Sequence, residues 1–169
     1  MDGQGYGHGS RHDVSLPNWI ERELARVLDS HEASLSYSTS LWENVRSLRA
    51  LFDRTGWYRK LKLKAVRPYP RELARSIVEK NYRLFCATHS AFQKQILKAA
   101  SRNDSVSVNH RTTAFLACYF DVLFALNRVP HPGEKRFLDL SGFLEPVPSA
   151  LRDDAHTLMS AGSRNETPN

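Results

Sequence analysis

The residues with the most direct chemical use are the basic and aromatic side chains between residues 54 and 75. Glu72 is the only acidic residue there, and Trp57, Tyr58 and Tyr69 lie among the arginines and lysines. Cationic groups can follow a phosphate backbone while aromatic rings stack on bases. The predicted nucleic-acid contacts are Arg59, Lys60, Lys62, Lys64 and Arg67. The same spacing fits a short amphipathic helix with a solvated basic face, which is the interpretation we favour.

A second pair, Arg83 and His89, lies within a long helical pattern. Its spacing resembles that of the arginine and histidine of helical ribonuclease-like domains. On a continuous helix this spacing places the two side chains on different faces. RNA cleavage is therefore the least favoured of the functions considered.

A polar, basic turn follows the most apolar segment of the chain. Residues 114–126 are apolar apart from Asp121, and the prolines and glycine of residues 130–133 then force a turn. A buried carboxylate needs a partner, and Arg102, Arg111 and Lys135 are the candidates for Asp121. A helix that delivers such a turn can hold ligand-binding groups beside a core.

Arg102 and Asp104 lie in another turn, between two long helical patterns. Asp and Ser are frequent at the first position of a helix, so this pair can simply cap the second helix. It can equally face a ligand, and both interpretations stay open.

The N-terminal residues 7–13 contain Gly-Ser and Asp13, which suggests either a histidine metal tract or a remnant of a nucleotidyltransferase motif. Two-metal chemistry needs at least two convergent carboxylates, and only Asp13 is present. A flexible tail over residues 1–15 is favoured, and no metal site or bound cofactor is predicted.

Length and composition indicate a protein with a hydrophobic core and a moderately basic surface. The 169 residues are 41% hydrophobic and 25% charged, with a formal net charge of +6, which fits either an anionic partner or only a soluble basic surface. Cys86 and Cys118 are predicted to be buried free thiols. The longest apolar run is too short to span a bilayer, so no membrane partner and a cytoplasmic location are expected.

Hydrophobic periodicity predicts a mainly α-helical bundle. Two long antiparallel helices, over residues 71–100 and 106–128, are expected with three or four shorter ones around them. Residues 48–52 are ambiguous and form either a small β remnant or a helix. The predicted organisation is a disordered tail over 1–15, a preceding segment over 16–56, a helical bundle over 57–160 and a second disordered tail over 161–169.

Four segments carry a resemblance to a known family. They are Phe124-Ala-Leu-Asn-Arg with His131-Pro-Gly-Glu-Lys-Arg, Leu51-Phe-Asp-Arg-Thr-Gly, Tyr69-Pro-Arg-Glu-Leu and Ser101-Arg-Asn-Asp. Over residues 40–142 the chain resembles the C-terminal helical domain of minimal nucleotidyltransferase-like proteins, the domain of unknown function numbered 4037. The first of the four segments is the most specific.

The resemblance implies a substrate- or nucleotide-binding helical domain. By that resemblance Asn127, Lys135 and Arg136 line the substrate side, with Arg102 and Asp104 across from them. The family's catalytic half, a sheet with Gly-Ser and paired carboxylates, has no counterpart in the first 40 residues. The chain is therefore expected to be the helical half alone, either as a truncated homologue or as a partner subunit. It is expected not to be catalytic alone, and to use a magnesium nucleotide only with a separate nucleotidyltransferase catalytic chain. Its expected ligand is a nucleotide or a small acceptor.

Overall fold

The computed structural model describes residues 16–87 and 91–161, and within them the fold is entirely helical. This confirms the predicted mainly α bundle. The predicted tail over 1–15, including Asp13, lies outside the described residues, as do residues 162–169 of the predicted tail over 161–169, whereas Ala161 is the last residue of a helix. The helices are α1 (Leu16–Leu28), α2 (Ser40–Ser47), α3 (Trp57–Ala65), α4 (Arg71–Tyr82), α5 (Phe92–Ala100), α6 (Ser105–Leu126), α7 (Phe137–Ser141) and α8 (Leu151–Ala161).

Residues 48–52 form a loop and neither of the two predicted elements. Two side chains of α3 form hydrogen bonds to the main-chain oxygen at the start of this loop. Tyr58 Oη and Lys62 Nζ both donate to the main-chain oxygen of Leu48, over 2.8 and 3.0 Å. These two bonds hold the start of the loop against α3.

The expected single helix over residues 71–100 is interrupted. A π-helical turn over Arg83–Ala87 follows α4, and α5 starts after Ala91, whose ψ of 140° is extended. The buried amide of Asn81 donates to the main-chain oxygen of Ile77 over 3.1 Å. Such side-chain bonds compete with the helical ladder, and this one lies directly before the change in helix type.

The two long helical stretches nevertheless run antiparallel, as predicted. Asn81 near the end of α4 bonds Asp121 in the C-terminal half of α6. Further along the first stretch, Phe85 and then Phe92 contact Phe115, which lies earlier in α6. Residue numbers thus rise along one stretch as they fall along the other.

Buried residues form two clusters. The larger one contains side chains of α1, α2, α3 and α4, including Leu28, Trp42, Leu61 and Ile77. Trp42 also donates its indole N–H to the main-chain oxygen of Ala65 over 2.8 Å. Residues on both sides of the predicted 56/57 boundary therefore share one core.

The second cluster surrounds the C-terminal half of α6 and contains Phe120, Leu123, Phe124, Leu144 and Leu151. It fixes the positions of α7 and α8 against α6. α7 begins only after Arg136, whose φ of 60° is not that of an α-helix, and α8 begins after a segment that contains two prolines.

Candidate functional site

The structure places the predicted ligand-binding residues at opposite ends of α6. Asp104 caps its N-terminus, where Oδ1 accepts the N–H of Ser107 over 3.0 Å, and Arg102 pairs with Asp104 over 3.7 Å. Asn127 follows its C-terminus. A helix of 22 residues spans roughly 33 Å at 1.5 Å per residue, so Arg102 and Asp104 do not lie across from Asn127.

Asn127 is engaged within the fold. Its amide nitrogen donates to the main-chain oxygens of Leu123 over 2.9 Å and of Pro146 over 3.1 Å. These bonds close the end of α6 and tie it to the segment before α8. The capping interpretation of Asn127 accounts for both contacts.

His131 anchors the turn that carries Lys135 and Arg136. Its main-chain N–H donates to Thr39 Oγ1 over 2.7 Å, and its side chain is fully buried. Nδ1 accepts the N–H of Gly133 over 3.1 Å, which places the ring proton on Nε2. Burial lowers the pKa of His131 to about 4, so the ring is neutral at pH 7.

Aromatic rings surround this imidazole. Tyr37, Phe124 and Phe137 lie with ring centroids 5.0, 5.2 and 5.3 Å from it, each at a steep angle. Among the described residues, Nε2 of His131 has no hydrogen-bond partner. Because the imidazole is neutral and buried, it packs against these aromatic rings as part of the protein core.

Asp121 is buried without a cationic partner among the described residues, contrary to the expected ion pair. Oδ1 accepts the N–H of Ser38 over 3.0 Å, and Oδ2 accepts Ser38 Oγ over 2.7 Å and Asn81 Nδ2 over 3.3 Å. Burial raises the pKa of Asp121 to about 6, although these hydrogen bonds act to lower it. The carboxylate thus joins residues 34–39 to α4 and α6.

A cleft of about 470 Å³ opens between α6, α7 and α8. Tyr37, Phe120 and Phe137 form an aromatic floor, with Phe120 and Phe137 stacked at a centroid distance of 4.6 Å. Arg136 and Arg152 lie on its rim. The volume is in the range of small-molecule sites.

Asp139 holds both of these arginines. Arg136 Nε lies 3.3 Å from its Oδ2, and Arg152 Nη2 lies 3.6 Å from its Oδ1. All three side chains are more than half exposed, so this network faces solvent. An anionic ligand would compete with Asp139 for two guanidinium groups.

Sequence reasoning identified Arg136 but missed Arg152, His156 and Tyr37 as residues of this cleft. Arg152 and His156 are four residues apart on α8, a spacing that puts them on one helix face. That spacing was the available signal, but only the packing of α8 against α6 gives the face a site to line. Lys135 is exposed beside the cleft.

The predicted nucleic-acid residues do not form one free surface. Arg67 pairs with Asp29 over 2.9 Å and also donates to the main-chain oxygen of Leu28, while Lys62 donates to Leu48. Arg59, Lys60 and Lys64 are exposed. Two of the five cations thus have contacts that stabilise the fold.

The remaining expectations concern the Arg83 and His89 pair and the two cysteines. His89 lies outside the described residues, and Arg83 lies in the π-helical turn with its side chain exposed. Cys118 is a buried free thiol whose pKa burial raises to about 11, whereas the side chain of Cys86 is outside the described part.

Within residues 16–87 and 91–161, His, Cys, Asp and Glu side chains nowhere form a group of three or more that could hold a metal ion. No helix in the same ranges is long and apolar enough to cross a membrane.

Comparison with known proteins gives no match: no family model, no curated protein and no solved structure is similar to this chain.

Proposed function

We propose that this chain is a helical ligand-binding domain that holds a small anionic ligand of the nucleotide class in the cleft between α6, α7 and α8. The observation that carries the proposal is the position of Arg136. The family resemblance assigns this residue to the substrate side, and it lies on the rim of a cleft with a second arginine and an aromatic floor.

The chemistry of the cleft fits such a ligand. Guanidinium groups bind phosphate oxygens through two parallel hydrogen bonds, and aromatic rings accept a flat base by stacking. Burial, followed by the negative charge of Glu134, raises the pKa of Tyr37. Its phenol therefore stays protonated and can donate a hydrogen bond.

The resemblance further supports an accessory role. In this proposal the domain presents the ligand to a separate nucleotidyltransferase catalytic chain, which supplies the paired carboxylates and the magnesium ion. The domain itself performs no transfer. A basic nucleic-acid-binding module remains the alternative function, with the exposed Arg59, Lys60 and Lys64 as its contacts.

Calorimetric titration with magnesium ATP tests the binding step. We expect saturable binding by the wild type and a loss of at least about tenfold in affinity for Arg136→Ala, because a hydrogen bond to a charged group contributes about 1.5–3 kcal/mol. Arg152→Ala should behave similarly. Arg75→Ala is the matched control, since this exposed arginine pairs with Glu79 on α4, outside the cleft.

Asp139→Asn provides a result of opposite sign. Removing the carboxylate releases both arginines, so affinity for the nucleotide should rise. Failure of the wild type to bind, or equal affinities in Arg136→Ala and Arg75→Ala, would contradict the proposed site. Repeating the titration with a nucleotidyltransferase catalytic domain present tests the accessory role separately.

A further inference from the structure

The loop between α2 and α3 presents apolar side chains to solvent. Leu51 is 99% exposed and Phe52 is 77% exposed, and Leu48 is also exposed. On the adjacent α3 side, Leu63 and Val66 are exposed as well. Single exposed apolar residues are ordinary, but five lie within nineteen consecutive positions (residues 48–66). Leu63 and Val66 line the same cleft as Ala50 and Asp53, which flank Leu51 and Phe52 in the loop, so the apolar patch over residues 48–66 needs an explanation.

This loop is held in place by the fold. The two carboxylate oxygens of Asp53 accept the N–H groups of Tyr58 and Arg59, over 3.3 and 3.0 Å. Tyr58 Oη in turn donates to the main-chain oxygens of Val45 and Leu48. The exposure of Leu51 and Phe52 therefore belongs to a fixed loop conformation.

Positive charge surrounds the apolar patch. Residues 46–67 contain eight basic residues and a single acidic one, Asp53. The loop forms one wall of a cleft of about 760 Å³ whose rim includes Arg49, Arg54, Arg59 and Lys62. The Arg54 guanidinium lies 5.6 Å from the ring centre of Phe52, so cationic and apolar groups meet on the same surface.

We propose that residues 48–66 form a docking surface for anionic lipid bilayers. Leu51 and Phe52 enter the interfacial region, and the surrounding arginines and lysine lie at the depth of the acidic headgroups. Apolar insertion combined with electrostatic attraction is the physical basis of peripheral membrane binding. The proposal is independent of the nucleotide cleft, which lies between α6, α7 and α8. It departs from the expectation of no membrane partner, which rested on the lack of an apolar run long enough to span a bilayer and not on binding at the bilayer surface.

The observations favour a bilayer over a nucleic acid. RNA would use the cations and exposed aromatic rings, but aliphatic side chains such as Leu51, Leu63 and Val66 have no phosphate or base to contact. The exposed ring of Phe52 already has the Arg54 guanidinium near it. A bilayer uses both kinds of side chain at once.

Flotation with lipid vesicles tests the surface, with vesicles of phosphatidylcholine alone compared with vesicles containing about one third phosphatidylserine. Wild-type protein should bind only the acidic vesicles. The double variant Leu51→Ala with Phe52→Ala should bind at least about tenfold more weakly, because it removes two inserting apolar side chains. Arg54→Gln and Arg59→Gln should each weaken binding about fivefold.

Phe143→Ala is the matched control, since Phe143 is 84% exposed outside this surface, and it should bind as the wild type does. Phe52→Trp gives a direct reading of depth: its emission should shift to the blue on acidic vesicles only.

Absence of vesicle binding would overturn the proposal, as would unchanged binding by the double alanine variant. Salt-sensitive binding of a single-stranded RNA oligonucleotide without vesicle binding would also overturn it, and would assign this surface to nucleic acid instead. Nucleotide titration of the same double variant should match the wild type, which separates this outcome from that of the cleft.

Discussion

Two buried titratable groups, Asp121 and His131, should impose opposite pH dependences on stability. Asp121 has its pKa raised from 3.8 to about 6, mainly by burial. His131 has its pKa lowered from 6.5 to about 4 by burial. Both residues are almost completely inaccessible to solvent, which agrees with burial as the main cause of each shift in pKa.

Between pH 3.8 and about 6, Asp121 is protonated in the folded protein but ionised in the unfolded chain. Stability therefore falls as pH rises through this window. The interval corresponds to about 3 kcal/mol, since one pKa unit corresponds to 1.36 kcal/mol. The loss of stability caused by ionised Asp121 is complete above pH 6 and absent below pH 3.8.

For His131 the unfolded chain binds the extra proton, between about pH 4 and pH 6.5. Stability is therefore fully present above pH 6.5 and is lost as pH falls toward 4. The stability lost between pH 6.5 and about pH 4 is again about 3 kcal/mol. The contributions of the two groups nearly cancel, so together they leave the wild-type free energy of unfolding almost level across this range.

Asp121→Asn should expose the histidine effect alone. We expect this variant to lose about 3 kcal/mol of stability relative to the wild type between pH 6.5 and pH 4. The altered hydrogen bonds of the new amide to Ser38 and Asn81 also lower stability, but by an amount that does not depend on pH. The pH dependence of the difference in unfolding free energy between the wild type and this variant therefore reports only the titration of Asp121. Urea unfolding followed by circular dichroism at several pH values measures it.

His131→Asn is the complementary variant, because the amide does not titrate. Its stability relative to the wild type should rise by about 3 kcal/mol as pH falls from 6.5 to 4. Asp153→Asn, which changes an exposed carboxylate at the start of α8, serves as the control. If the difference between the wild type and Asp121→Asn stays constant from pH 4 to 6.5, the assignment of a raised pKa to Asp121 is refuted.

Three further predictions concern stability and can be measured by urea unfolding at pH 7. Trp42→Phe should cost about 1 kcal/mol, because it removes the indole N–H that shares the main-chain oxygen of Ala65 with the N–H of Arg67; a cost close to zero would contradict this. Thr39→Val should cost about 1–3 kcal/mol, because it removes the hydroxyl oxygen that accepts the main-chain N–H of His131; an unchanged stability would show that another acceptor takes up this N–H. Asn127→Ala should lower stability by about 1 kcal/mol and leave nucleotide affinity unchanged; a large loss of affinity at unchanged stability would instead assign Asn127 to the ligand.

The sequence by itself determined that the fold is helical and where several helices lie, because the spacing of apolar residues is a local property, although it did not predict the interruption of the stretch over residues 71–100. Ile20, Leu24, Val27 and Leu28 recur at helical intervals, and α1 spans Leu16–Leu28. The apolar segment containing Asp121 likewise predicted a central helix, and α6 is that helix. The basic and aromatic pattern predicted α3, which the structure has at Trp57–Ala65.

Tertiary structure alone decided which polar groups meet. Ser38 and Asp121 are 83 positions apart and form two hydrogen bonds, and no local pattern pairs a serine with a distant carboxylate. An ion pair was expected because cations are the usual partners of buried carboxylates, but the folded chain satisfies this one with neutral donors.

The candidate site likewise contains residues that the sequence predicted and residues that only packing placed there. Arg136 was predicted from its own segment, whereas Arg152 joins it because α8 packs against α6. Arg102 and Asp104 were predicted to face Asn127, but a helix of 22 residues separates the two groups. Side-chain type and spacing thus specify helices and their faces, while distances between faces depend on packing, which acts between residues far apart in the chain.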